Sequence, residues 1–108
     1  MNLKYNALKI DEIEKANKKP LEQCIADYSI GNIALLVQKG METANEKVTR
    51  EQAFETIDEY LKDHDKEDLI LDIIEAMINA GFLSREINIQ EVRANKSQLI
   101  KEAMGTMK

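Results

Sequence analysis

The side chains with the greatest capacity for metal chemistry lie in one short stretch, residues 62–68, which reads KDHDKED. It contains the only histidine of the chain, His64, among four carboxylates. A calcium loop needs a glycine at its sharp turn and oxygen ligands at its later positions, but the glycine is missing and those positions hold Leu69 and Leu71. One histidine and one cysteine cannot build a zinc site. We therefore interpret His64 as a solvated turn residue and predict no metal and no cofactor.

The remaining candidates for catalysis have simpler roles. Cys24 lies among apolar residues at helical spacing, which is typical of a small core residue, and no histidine flanks it to form a nucleophile. The carboxylates of Asp68, Asp72 and Glu75 share one helix face, but that face is the polar one, so solvation explains them. Neither a phosphate-binding glycine loop nor a nucleophile-elbow motif occurs. We predict no catalytic residues and no enzyme activity.

The composition favours one all-α domain. The chain has 108 residues, of which 44% are hydrophobic and 32% charged, enough apolar surface for one core. Glycine (4) and proline (1) are scarce and only 5% of residues are aromatic, whereas β-sandwiches and barrels need frequent turn residues. We predict a compact bundle of about five short helices, with a loosely docked C-terminal helix.

Charge and hydropathy exclude several partners. The net charge of −5 repels the phosphate backbone, so we predict no nucleic-acid binding. No apolar stretch is long enough to span a bilayer, and the N-terminus lacks the apolar segment of a secretory signal. The single cysteine fits a reducing compartment. We therefore expect a cytoplasmic protein without membrane contacts.

Helix start and stop signals delimit the elements. Asn17 is expected to adopt the left-handed conformation that ends the first helix, and Pro20 to be the first residue of the second. Thr49 and Gln52 form a capping-box pattern. Gly81 is expected to end the fifth helix. The predicted helices cover 6–17, 21–27, 30–40, 50–61 and 66–80, with a polar loop at 41–48.

The fifth predicted helix carries more apolar surface than a surface helix needs. Its apolar residues fill an arc of roughly 220°, about twice the usual width. Either the helix runs through the centre of the domain or part of the arc is an interface with a partner or a second copy. We predict self-association, or contact with a partner, through Ile70, Ile74, Met77, Ile78, Phe82 and Leu83.

The last 25 residues differ from the rest. Residues 84–108 have only a thin apolar stripe, which favours a helix over about 88–104 that is weak alone. This segment is either an arm for a partner or a frayed terminus. We divide the chain into a helical domain, 1–83, and this C-terminal segment, 84–108.

Several segments, in their order and spacing, are similar to the tail assembly chaperones of long-tailed, siphovirus-type bacteriophages. They are residues 5–8 (YNAL), 13–22 (IEKANKKPLE), 48–53 (VTREQA), 58–61 (DEYL) and 65–82 (DKEDLILDIIEAMINAGF). The resemblance covers about residues 4–83 and leaves 84–108 outside it.

The resemblance implies a non-enzymatic assembly factor made in the host cytoplasm and absent from the mature virion. Proteins of this family bind the helical tape-measure protein and recruit the major tail protein, the tail-tube subunit. The residues alone also permit a small helical adaptor or regulator that uses the same surface on one specific partner. A DNA-binding helix-turn-helix protein is disfavoured, because the candidate recognition helices carry almost no Arg or Lys.

Overall fold

The computed structural model describes residues 1–84, 86, 90 and 91. Residues 1–84 form five helices, and the described residues contain no strand. The all-α prediction is therefore confirmed. Of the predicted helix over 88–104, only residues 90 and 91 are described, and both are helical; the rest of it lies outside the described residues. In the described part of the chain, no helix is both long and apolar enough to cross a membrane. The helices are α1 (Ala7–Asn17), α2 (Leu21–Ala26), α3 (Ile30–Met41), α4 (Arg50–Tyr60) and α5 (Lys66–Asn79).

The centre of the domain is α3, which contacts α1, α4 and α5, while α2 packs on α1. The sequence left two arrangements open for α5, a central position in the domain or an interface with a partner. The central position belongs to α3 and not to α5. Residues Ile33 and Val37 of α3 are almost inaccessible to solvent. The buried face of α3 begins after Ile30, which is 47% exposed at the start of the helix.

The starts of α4 and α5 are fixed by reciprocal side-chain caps. The Thr49 hydroxyl accepts a hydrogen bond from the Gln52 N–H at 3.1 Å, and the Gln52 side chain accepts from the Thr49 N–H at 2.9 Å. This confirms the predicted capping box. Asp65 and Asp68 form a second box at the start of α5, with distances of 2.9 and 3.1 Å. Each box satisfies two backbone donors that a helix start otherwise leaves unpaired.

The end of α5 is the predicted glycine cap. Gly81 has φ +89°, a conformation that a residue with a β-carbon rarely adopts. Its N–H donates to the Ile78 carbonyl, and the Phe82 N–H donates to the Met77 carbonyl, both at 3.0 Å. These two bonds define a Schellman motif, which turns Phe82 back onto the core.

Several predicted boundaries are wrong by one residue: α1 begins at Ala7, and α2, α4 and α5 end at Ala26, Tyr60 and Asn79. The left-handed residue after α1 is Lys18, with φ 56°, because Asn17 continues the helix and its amide donates to the Ile13 carbonyl. Pro20 is the extended N-cap of α2 and not its first residue. The helix α3 continues through Gly40 to Met41, since the Glu42 N–H still donates to the Gln38 carbonyl.

The N-terminal segment crosses the end of α3. The Lys4 N–H donates to the Gly40 carbonyl at 2.9 Å, and the Tyr5 hydroxyl donates to the Leu36 carbonyl at 2.7 Å. Tyr5 is buried, and this burial raises the pKa of its phenol. Residues 3–5 therefore belong to the packed domain.

A buried amide joins α3 to the connection before it. The Asn32 amide nitrogen donates to the Cys24 carbonyl at 2.6 Å and to the Asp27 carbonyl at 2.9 Å. The bond to Asp27 satisfies the carbonyl of the residue that caps α2, and the bond to Cys24 is a second one for a carbonyl that also accepts from the Asp27 N–H at 3.3 Å. Asn32 thus sets the angle at which the chain passes from α2 into α3.

Candidate functional site

The six residues of the predicted interaction surface do not form one exposed face. Met77 is completely buried in the core and is unavailable to a partner in this fold. Ile70, Phe82 and Leu83 are half-buried and pack against the core from outside. The remaining two, Ile74 and Ile78, are also half-buried.

The placement of these residues follows from helix geometry. Met77 lies four residues after Ile73, so both point to the same side of α5, towards α3. Ile70, Ile74 and Ile78 repeat at the same spacing on an adjacent row, which is only partly covered. This row, Ile70–Ile74–Ile78, remains partly accessible to a partner, as do Phe82 and Leu83 beyond its end.

The side chains that the sequence analysis considered for catalysis have structural roles. Cys24 is fully buried, its thiol lies 3.4 Å from the Lys19 carbonyl, and burial raises the pKa of the thiol. Asp68 belongs to the cap of α5. In the described residues, no three His, Cys, Asp or Glu side chains are grouped so as to hold a metal ion.

A second group of charged residues forms ion pairs beneath the loop between α3 and α4. The Lys39 ammonium lies 2.7 Å from the Glu12 carboxylate and 3.4 Å from that of Glu42, which is buried. The hydrogen bond from Lys39 lowers the pKa of Glu12 and raises that of Lys39. Glu42 also accepts from the Val48 N–H at 3.2 Å, so it ties both ends of the loop together.

His64 is part of an arrangement that the sequence analysis did not identify. Its ring stacks on that of Tyr60, with centroids 4.4 Å apart and planes inclined by 23°. The Tyr60 hydroxyl donates to the Asp72 carboxylate at 2.6 Å, which joins α4 to α5. His64 Nδ1 lies 3.9 Å from Asp68. Predicting His64 as a turn residue was correct, but its ring is stacked on Tyr60.

The stacked rings border a shallow groove along α4, of about 440 Å³. Its rim carries three exposed carboxylates, Glu55, Glu59 and Asp63, each four residues after the last. Met1 borders the same groove. The four-residue spacing of these acids is visible in the sequence, but nothing in the sequence shows that an aromatic pair lies beside them.

Negative charge is concentrated in the second half of the domain. Residues 50–84 contain ten Asp or Glu and three Lys or Arg, whereas residues 1–49 contain seven of each. The surplus of residues 50–84 thus exceeds the net charge of the whole chain, −5. The surface of α4 and α5 therefore attracts cationic partners and repels anionic ones.

Comparisons with known proteins provide no relative to compare with this arrangement. No protein-family model matches the chain, and no similar protein was found among curated proteins or solved structures.

Proposed function

We propose that this protein is a tail assembly chaperone of a long-tailed bacteriophage. In this role it is not an enzyme, acts in the host cytoplasm and is absent from the mature virion. It binds the tape-measure protein, keeps its helical segments from aggregating and recruits the major tail protein around it.

The proposal is supported by the positions of the segments that resemble this family. Residues 13–22 cover the end of α1 and the start of α2, 48–61 cover α4 with its capping box, and 65–82 cover α5 with its glycine cap. The resemblance therefore follows the helices and their caps and is not scattered across loops.

The surface chemistry is compatible with a helical client. An amphipathic helix binds to an apolar row whose residues follow helical spacing and are partly accessible. The row Ile70–Ile74–Ile78 has both properties. Leu8, on α1, is 66% exposed but lies outside this row. Surplus negative charge keeps a protein with such surfaces soluble.

Co-expression with a phage tape-measure protein tests the proposal. We expect the chain to keep a tape-measure fragment soluble and to co-purify with it. Ile74→Ser should weaken this effect, while Leu8→Ser, a change of the same chemistry on α1, should leave it intact. A tape-measure fragment that stays insoluble beside folded wild-type chain would contradict the proposal and favour an adaptor with another partner.

A further inference from the structure

The groove along α4 combines two features that both favour a cation. Carboxylates form its rim, and the stacked rings of Tyr60 and His64 lie beside them. A Lys or Arg side chain gains from a carboxylate at its charged end and from an aromatic face along its stem. Neither feature favours an anion or a nucleic acid.

The aromatic side of the groove is held in place before any partner arrives. Tyr60 is fixed at its hydroxyl by Asp72, 2.6 Å away on α5, and at its ring by His64. A bound cation therefore does not have to order this side chain, which lowers the entropic cost of binding.

The spacing of the rim indicates the form of the partner. Glu55 and Glu59 lie about one helical turn apart on α4, and Asp63 follows four residues later in the turn after the helix. A helix packed alongside presents cations at the same interval if it carries Lys or Arg every three or four residues. An apolar row beside those cations would contact Tyr60 and Met1.

One carboxylate of the rim is already shared with a cation of this chain. The Lys62 ammonium lies 2.9 Å from Glu59, and both side chains are largely exposed. Even when Lys62 and the α-amino group of Met1 are counted, carboxylates are the majority among the charged groups at the groove. The surplus of negative charge over residues 50–84 adds a longer-range attraction.

We propose that this groove is the docking site for a cationic amphipathic helix of another protein. Its Lys or Arg side chains bind between Glu55, Glu59 and Asp63 and against the ring of Tyr60. The inference does not depend on the role in tail assembly, because it concerns a different surface from the row Ile70–Ile74–Ile78 and is tested without any phage protein.

The probe is a synthetic peptide of about 18 residues, or roughly five helical turns, made of Leu, Ala and Lys with Lys beside a leucine stripe. A second peptide carries Glu in place of every Lys. Binding of each to the full chain is measured by fluorescence anisotropy at low and high salt. We expect the cationic peptide to bind, the anionic one to bind at least tenfold more weakly, and the affinity to fall as salt screens the charges.

Two pairs of variants locate the binding. Neutralising the rim by Glu55→Gln, Glu59→Gln and Asp63→Asn should weaken binding about tenfold, as the loss of three surface ion pairs predicts. The matched control Asp11→Asn, Glu22→Gln and Glu46→Gln changes the net charge equally at exposed positions outside the groove. This control should retain nearly the wild-type affinity.

The second pair of variants tests for a gain in affinity for the cationic peptide. Lys62→Gln releases Glu59 and should strengthen binding about twofold. Lys15→Gln removes an equally exposed lysine, paired with Asp11 at 2.9 Å on α1, and should have a smaller effect. Because unfolding would lower the affinity, a gain in affinity for Lys62→Gln reports on the groove even if the triple variant is unstable.

Three results would overturn the proposal. Equal binding of the anionic peptide would show that charge does not select the partner. Equal losses in the rim variant and its control would show that only the net charge matters. If the rim variant instead dissociates an oligomer of the chain itself at low salt, the occupant is a second copy, whose Lys15, Lys18 and Lys19 form a basic cluster.

Discussion

The hydroxyl oxygen of Tyr5 lies only 2.7 Å from the position that a β-carbon on Gly40 would occupy. That hydroxyl donates to Leu36 one turn earlier in α3, and the Leu3 side chain lies 2.9 Å from the same position. The N-terminal segment can therefore cross α3 at this height only if residue 40 has no side chain. The glycine is part of the helix, and its role is to admit another part of the chain.

We predict that Gly40→Ala destabilises the protein, although alanine is the better helix former. The added carbon must displace Tyr5 or Leu3, which should cost about 1–3 kcal/mol of the free energy of unfolding. Gly31→Ala is the control in the same helix, because its nearest neighbour is the end of the Arg50 side chain at 3.5 Å. It should be neutral or stabilising by up to about 1 kcal/mol. Urea unfolding measures the change in the free energy of unfolding for each variant. If Gly31→Ala destabilises the protein as much as Gly40→Ala does, the prediction is wrong.

The bond between Tyr60 and Asp72 should contribute to stability as well as to the groove. Tyr60→Phe removes only the hydroxyl and should lower the free energy of unfolding by about 0.5–1.5 kcal/mol. Tyr28→Phe is the matched change at a side chain that is 56% exposed and should have little effect. Thermal unfolding of the two variants compares them directly; equal melting temperatures would show that the bond contributes nothing.

Acid should lower the free energy of unfolding of the domain, because it protonates Glu12 and so removes its ion pair with Lys39. Lys39 lowers the pKa of Glu12 in the folded state, so the folded state binds fewer protons there than the unfolded chain. The stabilisation is present above the ordinary pKa of a glutamate, about 4.3, and is lost as the pH falls through the lower folded value. Glu12→Gln should therefore flatten the fall in stability below about pH 4.3.

The exposed carboxylate of Glu22 provides the control for this measurement, because it lies on α2, away from Lys39. Urea midpoints of wild type, Glu12→Gln and Glu22→Gln are compared from neutral pH down to about pH 3. We expect Glu22→Gln to follow the wild type. If Glu12→Gln shows the same acid slope as the wild type, the pair does not stabilise the fold.

Self-association through α5 is a further expectation. At tens of micromolar, light scattering should give a mass above the 12.3 kDa of one chain. Ile74→Ser should weaken the association about tenfold, since it removes most of one apolar side chain from the contact. Leu8→Ser, on α1, should not. A strictly monomeric wild type would rule out the association.

The parts of this fold that were predictable from sequence are those that depend on near neighbours. Thr49 and Gln52 are three residues apart, and Gly81 directly follows its helix, so the chemistry of each cap is contained in a few letters. Even there, a boundary can move by one residue, as at Asn17, whose amide found a partner inside its own helix.

The parts that were not predictable depend on residues far apart in the chain. Gly40 was interpreted as a helix end, but Tyr5, 35 positions earlier, explains it. The wide apolar arc of α5 predicts an interface that includes Met77, but the arc does not show which of its sides faces the core. Contact with α3 directs the side of Met77 inwards. The groove beside Tyr60 depends on Asp72, twelve residues later, which no local pattern relates to it.

The central position of α3 also bears on the order in which the chain is synthesised. When residues 1–49 have left the ribosome, α3 has only α1, α2 and the N-terminal segment to cover it, and this portion has no net charge to oppose aggregation. The residues that follow, α4 and α5, bring both the missing apolar contacts and the surplus of carboxylates. A nascent chain that stalls between the two halves is therefore at its most aggregation-prone, and completion of α5 removes both hazards together.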